Sequence, residues 1–358
     1  MLLSSIARNA RALLSVLLVS ALVACGGGGG GGGSSGGGTD NNNPPPAAST
    51  LAGQLFFHDK SEVKTYLGKA DASVAPTPLT TDVDPVMWPD ASQYLEYKIG
   101  SGSNGADQIT VYATATRQVI YQLNNVPYFC GANIRPSPIS KKQIVVQCYE
   151  SLISNEGLMA VFDLETGSVV HYEADQPERY QYLWLPDGRL LRAHDETGAL
   201  AVKSVGSASW RTLGQIAVPS GRRIFHLEVN PQGTMLAFAF QGYSDYATEA
   251  LTGDSDIWIS KIDGSSLEQF TAVGYVYDPI WSPDGTYIAF AVDTSRYCAS
   301  SLTSCPGASY LWYAPASARN MTNILDGFAH PFATQLRRRY PSGNLSPLIG
   351  VYLWAWIQ

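Results

Sequence analysis

The chain has 358 residues, a formal net charge of −7, and 45% hydrophobic against 15% charged residues. So apolar a composition excludes a disordered chain, and the negative balance excludes a nucleic-acid partner, because phosphate binding needs a basic field. Twenty Tyr, eight Trp, 34 Gly and 21 Pro favour strands and turns over helices.

Arg8 and Arg11 precede an apolar run of twelve residues, Ala12 to Val23. That is too short for a bilayer, which needs ~20 residues, and suits the core of a signal peptide. The run ends in Leu22-Val23-Ala24-Cys25, which resembles the lipobox of bacterial lipoproteins. The resemblance implies cleavage before Cys25 and attachment of lipid to its sulfur. Gly26, where that family carries Asp for inner-membrane retention, implies the outer membrane. Residues 26–50 hold eleven Gly, an Asn run and Pro44-Pro45-Pro46, a composition that builds no core. They read as a flexible linker with a span of roughly 25–30 Å. The chain thus divides into a signal peptide (1–24), a lipidated cysteine with its linker (25–50) and one domain (51–358). The mature balance is 21 Lys+Arg against 30 Asp+Glu, so anchoring rests on the lipid and the domain is expected to stand off in the periplasm.

Residues 51–358 repeat. The clearest unit is Asp278-Pro-Ile-Trp-Ser-Pro-Asp-Gly-Thr-Tyr-Ile-Ala-Phe290, with copies at 226–238 and 84–97, a truncated one at 184–191, a degenerate one at 134–146 and a last partial one at 345–354. Aligned prolines at Pro89, Pro138, Pro186, Pro231, Pro283 and Pro347 are 49, 48, 45, 52 and 64 residues apart. Between them recur apolar runs, Ile109–Tyr112, Met159–Phe162, Ala199–Val202, Ile257–Ile259 and Leu311–Tyr313, several followed by a Gly turn. Each unit reads as strand, Pro-Asp-Gly turn, strand, loop, strand, turn, strand. Four strands per ~45 residues is the pattern of a β-propeller blade. The chain opens on a second-half element, Gln54–Phe57 to Thr65–Leu67, and ends on a first-half element, Leu345 to Ile357. Joined, the two complete a composite blade, so the expected fold is an all-β, six-bladed propeller with that blade closing the ring.

The phrase at 278–290, with Asp256-Ile-Trp and Asp263-Gly, resembles the repeat of the TolB-like propellers. The resemblance covers most of residues 54–358 and implies a six-bladed propeller working in the cell envelope.

With Cys25 lipidated, Cys130, Cys148, Cys298 and Cys305 remain, and an oxidising compartment predicts their pairing. Three connectivities are open. Cys298 with Cys305 closes a short loop inside one insertion, leaving Cys130 with Cys148. The five histidines show no metal-ligand spacing, and no Gly-x-Ser-x-Gly elbow follows a strand segment. Asp82/Asp84 and Asp254/Asp256 read as turn residues, with calcium as their alternative role; no cofactor is otherwise called for. The residue five before each aligned proline is polar: Asp84, Asn133, Gln181, His226, Asp278 and Ser342. In the repeat these begin the inner strands, which predicts a polar ring at one mouth of the axial channel, able to hold a peptide end, a sugar or a cation. Arg337-Arg338-Arg339 reads as a solvated loop.

The expected function is that of a lipid-anchored, non-catalytic envelope module that binds or scaffolds a protein or glycan partner. The alternative is a propeller-type glycan lyase or hydrolase with its site in the axial channel. That would need several converging His, Asp, Glu or Arg residues, and the register supplies one His and two Asp.

Overall fold

The computed structural model describes residues 51–80, 85–98, 100, 107–126, 129–149, 157–173, 179–242, 255–293, 309–322, 324 and 330–358. Their regular elements are strands. Blade one holds β4 (Val86–Met87), β5 (Gln93–Lys98), β6 (Asp107–Ala113) and β7 (Val119–Val126). Blade two holds β8 (Phe129–Pro136), β9 (Gln143–Tyr149), β10 (Gly157–Asp163) and β11 (Ser168–Glu173). Blade three follows with β12 (Tyr180–Trp184), β13 (Leu190–His194), β14 (Ala199–Lys203) and β15 (Arg211–Gln215). Blade four is built from β16 (Arg222–Val229), β17 (Met235–Gly242), β18 (Ser255–Lys261) and β19 (Glu268–Gln269). Blade five has β20 (Val276–Trp281), β21 (Tyr287–Asp293), β22 (Ser309–Pro315) and β23 (Thr334–Gln335). The closing blade joins β26 (Val351–Ile357) to β1 (Gln54–Asp59), β2 (Lys64–Lys69) and β3 (Thr77–Thr80). The first strands β4, β8, β12, β16, β20 and β26 each touch the next, and β26 touches β4, so they form the inner ring of a six-bladed β-propeller.

Strand alternation explains the packing. Successive side chains face opposite sides of a blade, and each blade lies between two others, so both faces are apolar. In β9, Ile144 and Val146 pack with Trp88, Leu95 and Val111 of blade one. Val145, between them, packs with Tyr182, Trp184 and Leu190 of blade three. The other four blade boundaries have their own buried clusters.

The repeated proline phrase marks the turn from first to second strand. Gly188, Gly233 and Gly285 have φ of +82°, +69° and +72°, the left-handed region that glycine enters without a Cβ penalty. Before Gly188 and Gly285 an aspartate bonds the turn: Asp187 Oδ1 accepts from Arg189 N (3.1 Å), and Asp284 Oδ1 from Thr286 N (3.0 Å) and Ser282 Oγ (2.6 Å). In blade four Asn230 takes this part, accepting from Thr234 N and Met235 N. Burial alone would raise the Asp284 carboxyl, but these hydrogen bonds hold it below the usual carboxylate range.

Two expectations need correction. The closing blade draws one strand from the C-terminus and three from the N-terminus, pairing Gln54 with Ile357 through to Asp59 with Val351. The last partial repeat is not a blade element: Leu345–Pro347 is β25, paired with β24 (Arg337–Arg339) in a separate hairpin. The arginine run is solvated only in part, with Arg337 exposed. Arg338 is 9% exposed and ion-paired to Asp59 (2.7 Å) and Glu62 (2.9 Å), which pins the hairpin to the closing blade.

The two ends of the ring differ. Where the inner strands finish, the connections are tight turns, and the chain enters there at Leu51, its neighbours Ala52 and Gly53 grouped with Pro283, Asp284 and Gln358. At the opposite end the second strands finish and the third strands begin, at Lys98 and Asp107, Tyr149 and Gly157, Gly242 and Ser255, and Asp293 and Ser309. Cys298, Cys305, Asp254, Cys25, Asp82 and Asp84 lie outside the described residues. Cys130 lies on β8 and Cys148 on β9, each next to the Phe129–Tyr149 pair, with their side chains outside what is described.

Candidate functional site

The inner strands carry a shared irregularity. β8 gains one residue against β9 at Asn133-Ile134, β16 one against β17 at His226-Leu227, and β20 one against β21 at Asp278-Pro279. β26 gains one against β1 at Trp354. Such bulges bend a strand and re-aim the side chains they carry. His226 and Asp278 therefore sit within their strands rather than at the starts, and both take left-handed backbone, with φ of +51° and +55°. For a residue with a Cβ this conformation costs about 1–2 kcal/mol, so the surrounding structure must impose it.

Imposed strain has brought these two side chains together. His226 Nδ1 lies 2.5 Å from Asp278 Oδ1, across the boundary between blades four and five, with side chains 41% and 29% exposed. With Nδ1 donating to the carboxylate, a neutral His226 keeps Nε2 as an acceptor. Two residues along β16, Glu228 pairs with Arg135 of β8 at 2.5 Å. That pair links blades two and four and so passes β12 of blade three on its channel side. Four ionisable groups on the inner strands of three blades thus form two ion pairs.

Gln181 has another part. Its strand is regular, and its amide reaches into the next blade, donating to Ile224 O (2.7 Å) and accepting from Leu227 N (3.0 Å). It spans the bulge that carries His226. Asn133 lies in the β8 bulge, Asp84 is outside the described residues, and Ser342 is exposed in the turn between β24 and β25, away from the inner strands. The bulge of the closing blade belongs to Trp354, whose indole N–H is buried without a hydrogen-bond partner. Arg135, Glu228 and Trp354 were not singled out in the sequence. The first two stand two places beyond ring positions, a signal that strand alternation makes available.

Other polar clusters hold blades together. Glu173 of blade two receives Lys203 Nζ at 2.5 Å and Trp210 Nε1 at 2.6 Å from blade three. Burial would raise its carboxyl, but those donors hold it below the usual range. Asp195 is buried between blades three and four, 3.7 Å from Arg223 Nη1, and burial outweighs that charge and pushes its carboxyl up. Among the described residues no group of three or more His, Cys, Asp or Glu could hold a metal. Asp256, the described member of the Asp254/Asp256 pair, accepts from Thr271 Oγ1, Val273 N and Gly274 N. The depression at the chain junction offers the Asp284 carboxylate, already engaged by its own turn.

No family model matches the chain, and no curated protein matches it. Among solved structures it is similar to a putative 6-phosphogluconolactonase from Bacteroides uniformis, at 13% identity over 85% of this chain and 98% of that one (TM-score 0.46). It is also similar to the β-propeller domain of the Trilobed protease from Pyrococcus furiosus, at 11% identity over 80% and 86% of the two chains (TM-score 0.43). An oligogalacturonate lyase in complex with manganese matches at 16% identity over 74% and 73% (TM-score 0.43). At these identities the likeness is one of fold alone.

Proposed function

We propose that this protein is a lipid-anchored envelope propeller, TolB-like in its repeat, that binds a protein or glycan partner without catalysing its conversion. The observation that carries the reading is the pair of left-handed, non-glycine residues on neighbouring inner strands, His226 and Asp278, whose part-exposed side chains pair across a blade boundary. Strain kept at a solvent-reached site marks function more than packing. The four axial ionisable groups are matched as two ion pairs, which suits recognition better than acid–base exchange with a substrate. Anchoring rests on Cys25 and the linker, and disulfides among Cys130, Cys148, Cys298 and Cys305 complete the proposal for an oxidising compartment.

The test is affinity capture from detergent-solubilised envelopes with the mature, tagged lipoprotein, beside a His226→Asn/Asp278→Asn double variant. Asn tolerates left-handed backbone, so the variant should melt at the wild-type temperature while losing the retained partner. Equal retention by both proteins, or a loss matched by a fall in melting temperature, would refute the axial reading. Mass analysis of the mature N-terminus tests the anchor: a lipid mass on Cys25 is expected, absent in Cys25→Ala.

A further inference from the structure

Charge is not spread evenly over the chain. The closing blade with its hairpin, residues 51–80 and 336–358, holds six Lys and Arg against three Asp and Glu, a net of +3. Residues 81–335 hold 15 against 26, a net of −11. Pairing sharpens the contrast. In residues 81–335, ten of the fourteen described Lys and Arg are ion-paired to carboxylates. In the closing blade and hairpin Arg338 takes up both Asp59 and Glu62, and Asp71 accepts from Ser73 N. Lys60, Lys64, Lys69, Arg337 and Arg339 are left with no ion-pair partner among the described residues, and Arg339 donates to the carbonyls of Ala72 and Gly343.

The same blade exposes apolar side chains. Val63 is 56% exposed in the connection from β1 to β2, with a φ of +51° that a β-branched residue adopts only at a cost. At that exposure packing offsets little of it. Tyr352, also exposed, lies under Lys60, whose Nζ is 3.7 Å from the ring centre. Lys60 N bonds Gly350 O, beside the exposed Ile349. Unpaired cations among exposed aromatic and branched apolar side chains complement a bilayer surface, the first at anionic headgroups and the second at the headgroup boundary. The tether joins at this blade, because Leu51 leads into β1. A linker spanning roughly 25–30 Å outreaches that strand, about 20 Å long. The chain average favours a domain held off an anionic surface, but the distribution gives one blade the opposite preference. Resting on the lipid-anchored reading above, we infer that the domain docks through its closing blade onto the anionic bilayer that holds its anchor.

Energy transfer from the tryptophans of the mature lipoprotein to dansyl-labelled headgroups tests this, in vesicles of phosphatidylcholine alone or with about 30% phosphatidylglycerol. Transfer should be higher with phosphatidylglycerol and fall to the phosphatidylcholine level at ~0.5 M salt. Each cation near an anionic surface is worth about fivefold in partitioning, so Lys60→Glu/Lys64→Glu should lower the docked-to-free ratio at least about tenfold. Arg211→Glu/Lys261→Glu makes the same change in net charge at exposed residues of blades three and four, and should dock like wild type. Val63→Asn, which tolerates the left-handed backbone better, should melt higher and dock less. Equal transfer in both vesicles, transfer indifferent to salt, or equal losses in the two charge variants overturns the inference. The first two outcomes are read on the wild-type protein and do not depend on a variant folding. If phosphatidylcholine vesicles retain the protein while transfer is equal in both, the inference falls and the anchor stands. If they do not retain it, while phosphatidylglycerol vesicles bind it with the expected salt dependence, the anchor reading falls alone.

Discussion

Gln181 holds the neighbouring blade at the point where His226 leaves ordinary strand geometry, through one donated and one accepted hydrogen bond to backbone. Removing that amide leaves the Ile224 carbonyl and the Leu227 N–H without their partner, at a cost of about 1–3 kcal/mol. Gln181→Ala should lower the unfolding free energy by that amount, seen as a lower urea midpoint with an unchanged slope; an unaltered midpoint would show that the bulge stands without the clamp. Asp195 carries the opposite kind of stress. Its carboxyl is raised by burial, so its contribution to stability is full below the unfolded carboxylate pKa and is lost as pH rises through the folded value. Asp195→Asn, neutral throughout, should therefore melt above wild type at pH 7, with the gain vanishing towards pH 3. The turn aspartates Asp90, Asp187 and Asp284 have lowered values and run the other way. Their contribution is present above the unfolded carboxylate pKa and is lost as pH falls through the folded values. A pH series of melting curves on both proteins separates the two signs.

Blade boundaries are set by backbone approaching backbone as well as by apolar packing. A Cβ on Gly264, in the turn after β18, would lie 2.3 Å from the carbonyl oxygen of Gln215 at the end of β15. Gly206 has nearly the same φ, +81° against +82°, yet nothing within 4 Å of a Cβ. Gly206→Ala should cost about 1–2 kcal/mol for left-handed backbone alone, whereas Gly264→Ala should cost clearly more; equal melting temperatures would deny the close approach. The same contrast explains what the sequence disclosed. Proline-phrase turns are legible because Asp284 and Asn230 bond the turn with their own side chains and Gly285 and Gly233 supply the φ, so chemistry and conformation share a few letters. A one-residue bulge has no such mark: Gln181 and His226 are polar at matching offsets from their prolines, and only the second is bulged. The Arg135–Glu228 pair was illegible because it skips a blade, 93 residues apart in sequence. Leu345-Ser-Pro347 imitated the repeat without its turn, and so drew Ser342 into a ring that Trp354 enters instead.

As a whole the molecule has six apolar boundaries and one covalent gap, closed between β1 and β26. Trp356 stands at that gap. Buried to 5% exposure among Leu55, Tyr66 and Leu353, it donates its indole N–H to Ala52 O at 2.9 Å. Trp356→Ala should cost about 3–5 kcal/mol, read as a fall in the melting temperature of the whole domain. A separate early transition confined to the closing blade would show instead that the ring does not unfold as a unit. The same seam sets a schedule for biosynthesis. β1 leaves the ribosome among the first strands of the domain and β26 after all the others, so a growing chain carries one side of β1 unpaired until Val351–Ile357 emerges. Five blades can be complete while that edge still waits, and a chain cut before Val351 would keep it open for its lifetime, as a template for the β1 partner of another copy.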